Sequence, residues 1–141
     1  MTLATILQQR KGDVVSVTPD TPVRSVVQLL ADHRIGAVPV VQGDQVVGIM
    51  SERDVIYSLR SDGAAILEWP VERVMTQPAI TVPSSLSILV GLSLMTRRRI
   101  RHLPVVEGDR MVGFISIGDL VKARIDHVES EAEAMRAYIA G

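Results

Sequence analysis

The strongest constraint on this chain is that it repeats itself. Shifted against itself by 65 positions, residues 14–56 fall on residues 79–121 without a gap, and 13 of the 43 pairs are identical. Identity concentrates towards the end of each copy, where residues 34–54 and 99–119 share 11 of 21 positions. The phrase GIMSERD, Gly48 to Asp54, returns as GFISIGD, Gly113 to Asp119. Repetition on this scale dictates architecture before any single motif does. Whatever one copy folds into, the other must fold into as well. A copy of about 45 residues buries little surface alone, so the two are expected to press their sheets together.

Each copy reads as β-α-β-β-α. Val14–Val17 and Ala79–Val82 are short β-prone runs. Thr21 and Pro22 then match a helix N-cap followed by proline at the first helical position. Val23, Val26, Val27 and Leu30 form one apolar helix face; in the second copy Ser87 takes the cap, and Ile88, Leu92 and Met95 make the stripe. Two β-rich runs follow, Val38–Gln42 and Gln45–Met50, broken at Gly43-Asp44. Leu103–Glu107 and Arg110–Ile115 repeat them around Gly108-Asp109. A Gly-Asp pair between such runs marks a two-residue hairpin. Ser51 and Ser116 open a second helix in each copy. The last one continues with Ile125, Val128, Ala132, Met135 and Ile139 at three- and four-residue spacing, a stripe that needs a partner. The expected fold is α+β: two βαββα repeats packed with pseudo-two-fold symmetry, plus a C-terminal helix. The divisions fall at 1–65 (first copy with its N-terminal segment), 66–126 (second copy with its linker) and 127–141 (helical extension).

Composition narrows the function. Apolar residues make up 47% of the 141, ample for a core, while the formal net charge of −1 supplies no general field to attract nucleic acid or an anionic membrane. The four aromatics, Tyr57, Trp69, Phe114 and Tyr138, are few for stacking on single-stranded bases. There is no cysteine, which removes disulfides, thiolate metal sites and Cys nucleophiles and suits a reducing compartment. The N-terminal stretch lacks the order of a signal peptide. The most apolar run, Leu86 to Met95, is half the roughly 20 residues a membrane span needs. These features point to a cytoplasmic protein.

The recurring polar pair is Ser-x-x-Asp: Ser51 with Asp54, and Ser116 with Asp119. At a helix start this is the pattern of a capping box, with Asp in place of Glu. The same pair also places a carboxylate, suited to the two hydroxyls of a ribose, at a helix N-terminus, where N–H groups face an anion. The two roles are compatible, and together they suit a nucleotide. The histidines His33, His102 and His127 have no metal-ligand spacing. The glycine gap in GDQVVGIM lacks the Lys-Ser/Thr of a phosphate loop. No nucleophile accompanies either aspartate, so no enzyme is expected.

RIGAVPVVQGDQVVGIMSERDVI and RIRHLPVVEGDRMVGFISIGDLV both resemble the CBS motif, named after cystathionine β-synthase, and VMTQPAITV resembles the linker that often precedes one. The resemblance runs from about Ala4 to Ile125. It implies a Bateman module, a tandem pair that commonly binds adenosine ligands and commonly dimerises. It also implies that each aspartate holds a ribose and that backbone near the first strand, at Thr18 and Thr81, frames the adenine. A ligand would lie between the Ser-x-x-Asp of one motif and the pre-strand segment of the other. Ser51, Arg53 and Asp54 would then share a cleft with Arg101 and His102, gathering the extra cationic donors where a phosphate could use them. The mirror cleft would hold Ser116, Asp119, Gly36 and Ala37, with room but little charge. AMP is the first expectation, with NAD(H), ADP or ATP next. The first reading is a regulatory module that couples adenine-nucleotide binding to conformation or to an unknown regulated protein; the other two are a ligand-free dimerisation scaffold and a nucleic-acid-binding regulator using the run Arg97, Arg98, Arg99 and Arg101.

Overall fold

A computed structural model describes residues 1–10 and 12–141. The elements run α1 (Leu3–Gln9), α2 (Val23–His33), β1 (Ala37–Gln42), β2 (Gln45–Ser51), α3 (Glu52–Asp62), α4 (Ile88–Arg98), β3 (His102–Glu107), β4 (Arg110–Ser116) and α5 (Ile117–Ala140). Two 3-10 turns, Gly63–Glu68 and Val71–Arg73, lie between α3 and α4. Both hairpins form as the Gly-Asp pairs require. Gly43 and Gly108 take the positive φ, 63° and 62°, that a tight antiparallel turn demands. Each hairpin carries the same bulge: Val40 faces Gly48 but Val41 faces Val46, and Val105 faces Gly113 but Val106 faces Met111. The repeat therefore extends to an irregularity of the backbone.

Two expectations for local structure change. The runs at Val14–Val17 and Ala79–Val82 do not form strands; each makes one parallel bridge, Val17 to Val40 and Val82 to Val105. Val17 donates to the Pro39 carbonyl at 3.1 Å and accepts from Val41 at 2.8 Å; Val82 does the same with Pro104 and Val106. A parallel ladder would next use the residue two positions on. In the first copy that is Pro19, which has no N–H. In the second it is Ser84, whose N–H goes instead to the Glu107 carboxylate at 3.1 Å. The other change is at Thr21. The α2 cap is Pro22, with no side-chain cap bond, because the Thr21 hydroxyl is taken by the Thr18 N–H at 3.2 Å. Ser87 caps α4 as expected, accepting from Val90 N–H.

Each copy has a core of its own. Val23, Val26, Leu30, Val38, Val40 and Met50 of the first copy close against Ile66 and Val71 of the connecting segment. Val82, Ile88, Met95, Leu103, Val105, Ile115 and Leu120 of the second close against Leu3 and Ile6 of α1. The N-terminal helix thus packs on the second copy, and the connecting segment on the first. The crossing depends on two matched glycines. A Cβ on Gly48 would lie 2.6 Å from Met75 Sδ, and one on Gly113 would collide with the Leu7 side chain. The halves meet where β2 faces β4, and Met111 N–H bonds to the Asp44 carbonyl at 3.0 Å.

Candidate functional site

Both Ser-x-x-Asp pairs are capping boxes. In the first, Asp54 N–H donates to Ser51 Oγ at 3.2 Å and Ser51 N–H donates to Asp54 Oδ2 at 2.9 Å. In the second the distances are 3.2 Å and 2.8 Å. The pre-strand carbonyls engage the next amide: Glu52 N–H bonds to Gly36 O at 2.9 Å and Ile117 N–H to Arg101 O at 2.8 Å. Three amides at each helix start, Ser51, Glu52 and Asp54 in the first and Ser116, Ile117 and Asp119 in the second, are therefore committed internally. An anion arriving there depends on side chains more than on backbone.

A cavity of about 220 Å³ lies between the α3 start and the pre-strand segment of the second copy. It collects Ser51, Arg53 and Asp54 with Arg101 and His102, the grouping that the resemblance implied. Arg53, Arg99 and Arg101 reach it, and none of the three is ion-paired among the described residues. With Glu52 and Asp54, the lining residues comprise three arginines and two acids. Ile49, Ile80 and Ile100 supply an apolar wall. Thr76 was not foreseen in the site: its hydroxyl donates to Asp54 Oδ1 at 2.9 Å. The sequence signal for it was the linker stretch VMTQP. Arg99 carries two roles. Its backbone ends α4 in the left-handed region at φ 55°, as Arg34 at φ 52° ends α2, and the residue also lines the cavity.

A second cleft holds Ser116, Asp119 and Ala37, with Val14, Val15 and Phe114. Gly36 is not with them. It lines the first cavity, where a Cβ would lie 3.5 Å from Glu52 Oε1 and 3.7 Å from His102 Cε1. Having no side chain, Gly36 contributes only backbone, and that backbone is turned to Glu52. Thr18 and Thr81 line neither cleft. Thr18 is held in a local turn, its hydroxyl donating to Asp20 at 2.5 Å, and Thr81 is exposed.

His102 borders both clefts. It stacks on Phe114 with ring centroids 5.4 Å apart. Burial pushes its pKa below the ordinary histidine value; Asp119 and Glu52 oppose the shift and Arg101 adds to it. It is therefore a neutral imidazole at neutral pH. At Asp119 burial pushes upward, but the Ser116 amide and the Arg10 guanidinium outweigh it and hold the carboxyl below the ordinary value. Arg10, which follows α1, pairs with Asp119 Oδ2 and donates through Nη1 to the Phe114 carbonyl at 2.6 Å.

A doubled αββα unit, each copy led in by one parallel bridge and each with a Ser-x-x-Asp at an inter-motif cleft, defines a tandem CBS pair. The CBS-domain profile matches residues 9–61 and 71–126, and the chain belongs to the CBS-domain family. It is similar to the CBS domain-containing protein CBSX3, mitochondrial, of Arabidopsis thaliana, with 36% identity over 135 residues. That match covers 92% of this chain and 66% of the plant protein. A CBS-domain containing protein of Agrobacterium tumefaciens superposes with a TM-score of 0.82 at 37% identity, covering 88% of this chain and 99% of that one. The CBS-domain pair of protein MJ0100, solved in complex with 5'-methylthioadenosine and S-adenosyl-L-methionine, superposes with a TM-score of 0.78 over 90% of this chain and 98% of that one. At 20% identity this last likeness is one of fold. Among the described residues no helix is long and apolar enough to cross a membrane.

Proposed function

We propose that the chain is a regulatory module that binds an adenine nucleotide in the first cleft and signals its presence through a change of shape or partner. The observation that carries this is one cavity lined by Asp54, by Arg53, Arg99 and Arg101, which form no ion pair among the described residues, and by an isoleucine wall. Asp54 accepts the ribose hydroxyls, with Thr76 fixing its free oxygen. The isoleucines cover the adenine. The guanidiniums take the phosphate, a geometry arginine suits better than lysine. The adenosine ligands in the MJ0100 pair support the ligand class. AMP fits the charge count first, with ADP, ATP and NAD(H) as extensions from the same adenosine end. The module works without catalysis, in a reducing compartment such as the cytoplasm. A ligand drives such a module only by binding one of two states more tightly than the other.

The module pairs with a second copy. Exposed apolar side chains lie on α3 (Ile56 61%, Tyr57 60%) and on α5 (Ile125 50%, Met135 61%), and such faces mark association sites. Calorimetric titration with AMP, ADP, ATP, NAD, NADH, S-adenosylmethionine and adenosine tests the ligand reading. Saturable binding that is lost in Asp54→Ala, with the AMP-over-adenosine preference weakened in Arg101→Ala, is the expected result. If no member of the panel binds, the dimerisation scaffold becomes the better description.

A further inference from the structure

The two clefts differ at one contact that the repeat itself exposes. Each lead-in segment crosses to the opposite copy. Thr76, before the second motif, bridges Ile49 of β2 and reaches Asp54. Arg10, before the first motif, bonds Phe114 of β4 and reaches Asp119. Ile49 and Phe114 are equivalent by the 65-residue shift, as are Asp54 and Asp119. Where the first cleft has a short neutral hydroxyl, the second has a guanidinium. A hydroxyl leaves its carboxylate oxygen able to accept from a ligand. A guanidinium ion-paired to the carboxylate covers it with a planar, permanently charged group. Arg10 is also held in place from behind, because α1 buries Leu3 and Ile6 in the second core and seats Leu7 against Gly113.

We infer that Arg10 is an internal occupant of the second cleft, closing the Asp119 carboxylate to ribose so that each chain carries one nucleotide instead of two. This rests on the first-cleft reading only for the identity of the ligand. The exposed ion pair is not a strong lock; Arg10 and Asp119 side chains are 38% and 31% exposed. Closure comes from placement: the ligand's hydroxyls and the guanidinium compete for the same carboxylate, which the guanidinium holds through Oδ2 while tethered to the Phe114 carbonyl. Removing it should turn a one-site chain into a two-site chain.

The test is the number of AMP equivalents bound per chain, by calorimetry, in the unaltered chain, Arg10→Ala, Arg10→Met, Arg10→Ala/Asp119→Asn and Arg10→Ala/Asp54→Ala. The expected counts are one, two, two, one and one. Two equivalents in the unaltered chain, or one in both single Arg10 variants, overturns the closure. No binding to the unaltered chain, with one equivalent in Arg10→Ala that Asp119→Asn removes, would overturn the first-cleft reading and leave the closure standing. A readout without ligand accompanies these. The Asp119 carboxyl, followed by NMR, should titrate at higher pH in Arg10→Met than in the unaltered chain, and an unchanged titration contradicts the ion pair.

Discussion

Asp54 and Asp119 hold the same place in the repeat, and single neighbours set them apart. Around Asp119 the pH dependence has a definite sign. Its folded pKa is lowered, so the unfolded chain binds more protons in acid, and the stability this group contributes is present above the ordinary carboxyl value. It is lost as pH falls through the folded value. The stability difference between the unaltered chain and Arg10→Ala should therefore shrink in urea titrations carried from pH 6 to below pH 3. His102 is the neutral counterpart. Its folded pKa is depressed by burial, so its contribution is full above about pH 6.5 and is lost as pH falls below that towards the folded value. A phosphate beside it favours the imidazolium. The affinity of the unaltered chain for AMP, relative to His102→Gln, should rise between pH 8 and pH 6; a flat ratio would remove His102 from the phosphate site. Gly48 is a third residue with a clear consequence. A methyl there would lie 2.9 Å from the Thr76 carbonyl and push the linker off β2. Gly48→Ala should cost about 1–3 kcal/mol in urea unfolding and weaken nucleotide binding by displacing Thr76 from Asp54.

The elements divide by what holds them. Hairpins, their Gly-Asp turns and the capped helix starts were legible because local chemistry decides them. Ser-x-x-Asp caps wherever it opens a helix, and Gly43 and Gly108 supply a backbone conformation few residues take. Ser87→Ala should cost about 1 kcal/mol through the lost Val90 cap, with no change in ligand affinity; a cost near zero would mean the cap is idle. The first strand of each copy was misread for a reason local pattern does not contain. A β-prone run becomes a strand only if the partner ladder continues, and here Pro19 and the Ser84–Glu107 bond end it after one bridge. Thr21 shows the same limit, since its hydroxyl answers to Thr18 and not to the helix. Gly36, which the resemblance placed in the second cleft, lines the first because its carbonyl is turned to the Glu52 amide, a backbone orientation that the sequence does not carry.

Across the whole molecule, the repeat announced two copies and clefts between them. It did not announce that α1 belongs to the second core and Ile66 and Val71 to the first. That crossing depends on long-range packing, and it brings Thr76 and Arg10 to the two aspartates. The exposed α5 stripe is the other large-scale feature. Sedimentation should find a dimer, and Ile125→Glu with Met135→Glu should shift it towards monomer; an unchanged dimer would place the interface elsewhere. The central claim is that similar frames have been given different charges, so that nucleotide phosphate belongs to the first cleft. A crystal structure of the chain with AMP tests this most directly. The ribose should sit on Asp54 beside Thr76, with the phosphate among Arg53, Arg99 and Arg101 and with Arg10 still on Asp119. AMP bound at Asp119 with the first cleft empty would contradict it.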